Sequence, residues 1–167
     1  MWYKKLVIIL FFYFLVLFQN SFLNHFSIEG VVPNFVLILL CLLVFFENPH
    51  KYFGIIPAVF AGFFLDIFSK SFFGVSTLTT VVIYFLIKEL IHILRDTGQK
   101  HSFFYFIPIF ILSLIFYDFF LILFSYLIDR SVLLSFSGYV LVVKGVYNLL
   151  FAIIGFFLFK KFPVLRI

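Results

Sequence analysis

The chain has 167 residues, 65% hydrophobic and 11% charged, and a mean hydropathy of +1.26; soluble domains are about half apolar, so a water-soluble globule is excluded. The net charge of +5 does not indicate nucleic acid, because the basic residues lie at the ends of apolar segments, where they report membrane orientation. The single cysteine, Cys41, excludes a disulfide framework and a thiolate metal site, and the abundance of Phe (31 residues) reads as compositional bias without functional content.

A helix that crosses a bilayer needs about 20 mostly apolar residues, because its backbone polar groups must be satisfied within the segment. Apolar runs set against charged or Pro/Gly/Asn breaks predict six helices, over 6–26, 31–47, 52–70, 75–94, 103–127 and 138–159. The expected fold class is all-α, with residues 1–167 forming a single six-helix transmembrane domain. The first run, K-K-L-V-I-I-L-F-F-Y-F-L-V-L-F, has the positive start and apolar body of a signal peptide, but no A-x-A-like cleavage site follows, so an uncleaved helix is expected. The second holds Pro33 near its start, which suits a first helical turn, and Cys41 mid-run as a small core residue.

In the third helix Gly54, Ala58, Gly62 and Asp66 recur at every fourth position, so three small residues form a ridge that leads to a carboxylate. Such a ridge lets helix backbones approach closely, as a packing seam inside the bundle or against a partner. Pro57, within the ridge, is expected to kink the helix. The fourth helix follows Gly74 and opens with Ser76, Thr77, Thr79 and Thr80, whose hydroxyls can bond back to carbonyls one turn earlier or across to another helix. Its far end places Lys88, His92 and Arg95 near one face, which reads as a helix emerging into the cytoplasm with Glu89 beside it. A metal site there lacks enough ligands.

Lys4, Lys5, Lys51, Arg95, Lys100, Lys160, Lys161 and Arg166 fall on one side of the six segments, and only Lys70 and Arg130 on the other. By the positive-inside rule both termini are cytoplasmic. Three ionisable residues, Asp66, Asp118 and Lys144, then lie at similar depths in the outer third of the bundle. A charge there needs a partner, a wet cavity or a short reach to the headgroups. Asp66–Lys144 and Asp118–Lys144 are the possible pairs; the alternative is that each reaches the headgroups independently, Lys144 by snorkelling.

Paired intramembrane aspartates and the chain's size also fit an aspartyl peptidase of the lipoprotein signal peptidase kind. The contexts G-F-F-L-D-I-F and I-F-Y-D-F-F lack that family's N-x-x-D-R-like and N-x-A-D-like blocks, and Asp129-Arg130 lacks the preceding Asn. No Gly-rich phosphate loop, nucleophile elbow or H-E-x-x-H is present. No catalytic, cofactor-binding or metal residue is therefore expected, and the chain reads as a non-enzyme.

The stretch V-P-N-F-V-L-I-L-L-C-L-L-V-F-F, followed by K-Y-F-G-I-I-P-A-V-F-A-G-F-F-L-D-I-F-S-K-S-F-F-G-V-S-T-L, resembles the pattern of the MreD family of rod-shape-determining proteins. In that pattern a Pro-Asp or Pro-Asn opens an apolar helix, spaced glycines and a Gly-x-x-x-Asp follow, and a further Gly comes seven to nine residues on. Pro33, Asn34, Gly54, Gly62, Asp66 and Gly74 match, and the similarity covers residues 31 to about 85. The resemblance implies a bacterial inner-membrane protein without catalytic activity. It would work with MreC in the cell-elongation machinery, alongside MreB, RodA and a penicillin-binding transpeptidase, in peptidoglycan synthesis along the side wall. It also implies a fold akin to the substrate-binding subunits of energy-coupling-factor transporters, which keeps a vitamin-type binding subunit as the alternative function. Helix one departs from those subunits, whose Ala-rich docking face has no counterpart here.

Overall fold

A computed structural model describes residues 2–27, 30–47, 52–68, 72–95, 102–130 and 138–161. Among them are six α-helices: α1 (Trp2–Ser21), α2 (Phe35–Phe46), α3 (Ile55–Phe68), α4 (Val75–Arg95), α5 (Phe103–Ile128) and α6 (Gly138–Lys161), with a short 3-10 turn at Leu23–Phe26. The segments 75–93, 103–128 and 139–161 are long and apolar enough to cross a membrane; α2, α3 and the apolar part of α1 are shorter.

The centre of the fold is α2. Its sequence is apolar on every face, and Val36 through Phe46 are all buried. It packs against all five other helices, which follow one another around it in the order α1, α3, α4, α5, α6. Leu42 sits so close to α6 that a Cβ at Gly155 would lie 2.8 Å from it. Aromatic rings close the lower core, with Phe45, Phe46, Phe106 and Phe156 in mutual edge or tilted contact. The outward faces of α1, α3, α5 and α6 carry exposed Leu6, Leu10, Phe14, Phe60, Phe63, Ile115, Phe119, Val146 and Ile154. An apolar core wrapped in an apolar surface is what a lipid solvent selects.

Three expectations change at the helix ends. First, α2 begins at Phe35 because Asn34 caps it, its side chain accepting from the Leu37 N–H at 3.0 Å. Pro33 therefore precedes the helix instead of sitting in its first turn. Second, Gly54 accepts the first bond of α3 through its carbonyl, from the Ala58 N–H at 2.9 Å. That places Pro57 in the first turn, where a backbone N–H has no intrahelical partner, so the proline removes no bond and does not act as a mid-helix kink. Third, α3 is 14 residues long, shorter than the apolar run that encodes it, and the backbone N–H groups of Phe53 and Gly54 before it and of Gly74 after it are taken up by buried carboxylates.

Candidate functional site

The small-residue ridge faces α4 of the same chain. A Cβ added at Gly62 would fall 2.3 Å from Thr80 Oγ1, 2.4 Å from Thr77 Cα and 2.7 Å from the Ser76 carbonyl oxygen. Two of these three atoms belong to the α4 backbone, and only a hydrogen at that position permits the approach. Thr80 uses the same approach, donating across to the Ala58 carbonyl at 3.1 Å as well as back to Ser76 at 2.9 Å. At Gly54 the neighbour is the Tyr84 ring, 2.9 Å from the added carbon. Ala58 is fully buried in the seam. The ridge is thus covered by α4, and a partner helix cannot occupy it without displacing α4.

Asp66 ends this ridge and caps α4. Its carboxylate accepts from the backbone N–H groups of Gly74 at 3.0 Å, Ser76 at 2.8 Å and Thr77 at 3.0 Å, and from the Thr77 hydroxyl at 2.6 Å. The local N-cap position is Gly74, whose carbonyl receives the first helical bond from Leu78. Gly74 adopts φ +94°, a left-handed conformation that favours glycine, and has no side chain with which to cap. The preceding helix supplies the missing acceptor. Negative charge at the positive end of α4 adds a favourable dipole interaction.

Glu47, at the end of α2, does the same for α3. It accepts from the backbone N–H groups of Phe53 and Gly54, the latter at 3.1 Å, and Gly54 is again a side-chain-free N-cap. Its other oxygen accepts from the Tyr84 hydroxyl at 3.2 Å and pairs with Lys88 Nζ at 3.2 Å. Lys88 Nζ lies 5.5 Å from the centre of the Tyr52 ring. This corrects the expectation for Lys88, which turns into the protein and is buried; His92 is exposed, and the side chain of Arg95 lies outside the described residues.

Lys144 on α6 pairs with Asp118 on α5, and Lys144 Nζ is also 5.9 Å from the Tyr117 ring centre. Of the two pairings open in the sequence the structure contains this one, while Asp66 is engaged by α4. The pair continues into a polar chain at the head of α2. The Asn148 amide donates to the Lys144 carbonyl at 2.8 Å, its oxygen accepts from the Asn34 N–H at 2.6 Å, and Gln19 on α1 accepts from the Phe35 N–H at 3.1 Å. The central helix is therefore held at its head by Asn34, Gln19 and Asn148 and at its foot by Glu47.

Sequence reasoning passed over Glu47, Asn148, Gln19 and Tyr84. A signal for Glu47 was available: E-N-P-H-K-Y-F-G, residues 47–54, and D-I-F-S-K-S-F-F-G, residues 66–74, share an acid, a lysine four positions on, and a Phe-Gly. The repeat encodes one device twice.

A family model described as rod shape-determining protein MreD matches residues 2–162. The chain belongs to the MreD family. No curated protein and no solved structure matches it. Membership assigns a role in rod-shape determination, and the resemblance noted over the second to fourth helices extends to nearly the whole chain. The Gly-x-x-x-Asp and the later Gly of the MreD pattern now have a physical content. Gly62 permits the α3–α4 contact, and Asp66 with Gly74 starts α4. Among the described residues no cluster of three or more His, Cys, Asp or Glu side chains could hold a metal. Chemically, the Asp66 carboxylate already accepts four hydrogen bonds and the Asp118 carboxylate is paired with an ammonium, a state suited to holding helices together more than to moving protons.

Proposed function

We propose that this MreD-family chain is a non-enzymatic, multi-pass component of the bacterial inner membrane that binds MreC and supports side-wall peptidoglycan synthesis by the cell-elongation machinery. In this reading all six helices cross the membrane with both termini in the cytoplasm. RodA, the penicillin-binding transpeptidase and, through MreC, MreB are the further members of the assembly. The observation that carries the reading is the family match over residues 2–162. The apolar exterior supports membrane residence, and the buried charges support a structural role because the buried carboxylates of Glu47, Asp66 and Asp118 each engage donors.

The seam between α3 and α4 is internal, so the proposed MreC surface lies on the outward faces of the bundle. Depleting the protein in its own host should convert rods to spheres, and affinity purification from undepleted membranes should recover MreC. Rods that persist after depletion would overturn the functional reading; rounding without MreC recovery would overturn the partnership alone.

A further inference from the structure

Lys88 and Lys144 each meet a carboxylate. Lys5, in the first turns of α1, meets none among the described residues and makes no hydrogen bond with them. Its ammonium, with three N–H donors, rests over the Phe53 ring, 5.2 Å from the centre. Phe53 is buried, and Glu47 accepts its backbone N–H and that of Gly54, which fixes this segment against the foot of α2. The ring is therefore a rigid shelf beneath a half-exposed cation. Glu47 does not balance that cation, because it already accepts from Phe53, Gly54 and Tyr84 and pairs with Lys88. Helix α1 contains no acidic residue, and the acid in α3 is Asp66, at its far end. The sequence adds Lys4 beside Lys5 and Lys51 beside Tyr52, so the foot of the α1–α3 pair carries uncompensated positive charge.

An apolar seam leads away from this charge. Pro57, Phe60 and Phe64 recur at steps of three and four, which places them on one face of α3. Helix α1 packs along that face, with the Tyr13 ring 5.3 Å from Phe64. At the foot, Ile8 of α1 and Phe53, Gly54 and Pro57 line a crevice floored by Leu43 of α2. Farther along, Tyr13 and Phe60 are exposed, so the seam opens to lipid. Tyr52, exposed beside Phe53, has the half-apolar, half-polar side chain that suits the headgroup boundary.

We propose that the foot of the α1–α3 seam binds an anionic phospholipid of the cytoplasmic leaflet, with its phosphate on the Lys5 ammonium and an acyl chain along Tyr13, Phe60 and Phe64. The ammonium supplies charge-assisted hydrogen bonds to the phosphate, and the seam buries apolar surface of the chain. A zwitterionic lipid offers the same phosphate but carries a second, positive group into a site already flanked by Lys4 and Lys51. Net negative charge on the headgroup is therefore what the site selects. The inference rests on the spanning reading with cytoplasmic termini given above.

The sole tryptophan, Trp2, lies three positions before Lys5 on α1, hence on the same helix face, and reports on this site. The full chain would be reconstituted in phosphatidylcholine vesicles, and Trp2 quenched with brominated phosphatidylglycerol or brominated phosphatidylcholine to give their relative affinities. The anionic lipid should be preferred about five-fold, the attraction of roughly one lysine for an anionic surface. Lys5→Gln should remove the preference and Lys5→Arg should keep it. A reporter at the foot of α6, Phe157→Trp combined with Trp2→Phe, stands beside Lys160 and Lys161 and should show a preference below about two-fold. Equal preference at the two feet, or a preference that survives Lys5→Gln, overturns the site and leaves the spanning reading intact. Absence of quenching by either lipid at both reporters overturns the spanning reading and the proposal with it. Should Lys5→Gln fail to assemble, the unaltered chain supplies the second measurement: raising salt from about 0.1 M to about 1 M should abolish the preference at Trp2, and its persistence overturns the proposal.

Discussion

At Asp66 one carboxylate accepts three backbone N–H bonds and one hydroxyl bond at the start of α4. Loss of an ordinary N-cap costs about 1 kcal/mol and charge-assisted bonds are roughly twice as strong as neutral ones, so Asp66→Ala should destabilise by about 3 kcal/mol. Asp66→Asn, which keeps one acceptor oxygen, should fall between, as read by thermal unfolding in detergent. The Asp118–Lys144 pair makes a different forecast. Lys144→Met strands a buried carboxylate and should cost on the order of 3 kcal/mol, whereas Asp118→Leu combined with Lys144→Met should recover most of that loss. If the double variant is no more stable than Lys144→Met alone, the loss does not come from a stranded Asp118 carboxylate. Both aspartates stand out in the sequence because a charge in an apolar run is conspicuous. Which partner each one meets was not legible, since Asp66 and Lys144 lie at compatible depths and only the lateral order of helices separates them. Glu47 was less conspicuous still, because it sits at a run's edge, where a charge is unremarkable.

One helix contact and one helix start each depend on a glycine, for different reasons, and a third glycine has neither constraint. At Gly62 the reason is space: any Cβ meets α4 backbone within 2.4 Å, so Gly62→Leu should force α3 and α4 apart and abolish recovery of monodisperse protein by size exclusion. At Gly74 space is open but φ is +94°, so Gly74→Ala should fold with a loss of about 1 to 2 kcal/mol. Gly145 on α6 has neither constraint, with nothing within 4 Å of an added Cβ; Gly145→Ala should be neutral or stabilising by up to about 1 kcal/mol through helix propensity. A thermal-shift ranking in any other order would contradict this assignment of causes. The spacing of the ridge was legible because a period near four marks one face of a helix. The shortness of α2 and α3 was not, because apolar composition runs past both ends while capping by Asn34, Glu47 and Asp66 decides where the helices start and stop.

On the scale of the whole molecule, a fully apolar helix of 12 residues, α2, is surrounded by longer ones and anchored at both ends by polar side chains. Irregular backbone at membrane depth is tolerated where it is buried in protein, and Gln19, Asn148, Glu47 and Asp66 supply the acceptors that α2, α3 and α4 need. Glu47 serves a helix start, a tyrosine and a lysine at once. Glu47→Leu should therefore lower the amount of folded protein in membranes more than Lys88→Leu does, as measured by detergent extraction and size exclusion; equal losses would reduce Glu47 to the role of Lys88's counter-ion. Composition and the apolar runs by themselves determined a helical membrane protein and its approximate helix positions, and the Pro-Asn and spaced Gly and Asp pattern pointed to its family, because hydrophobic length and spaced glycines are local properties of the chain. Only the tertiary structure decided that the glycine ridge turns inward to α4, that Asp118 and not Asp66 meets Lys144, and that carboxylates reach forward to start the next helix. Those outcomes depend on which helices become neighbours, and in an apolar chain nearly every face is compatible with every other until backbone packing and the need to satisfy polar groups select one arrangement.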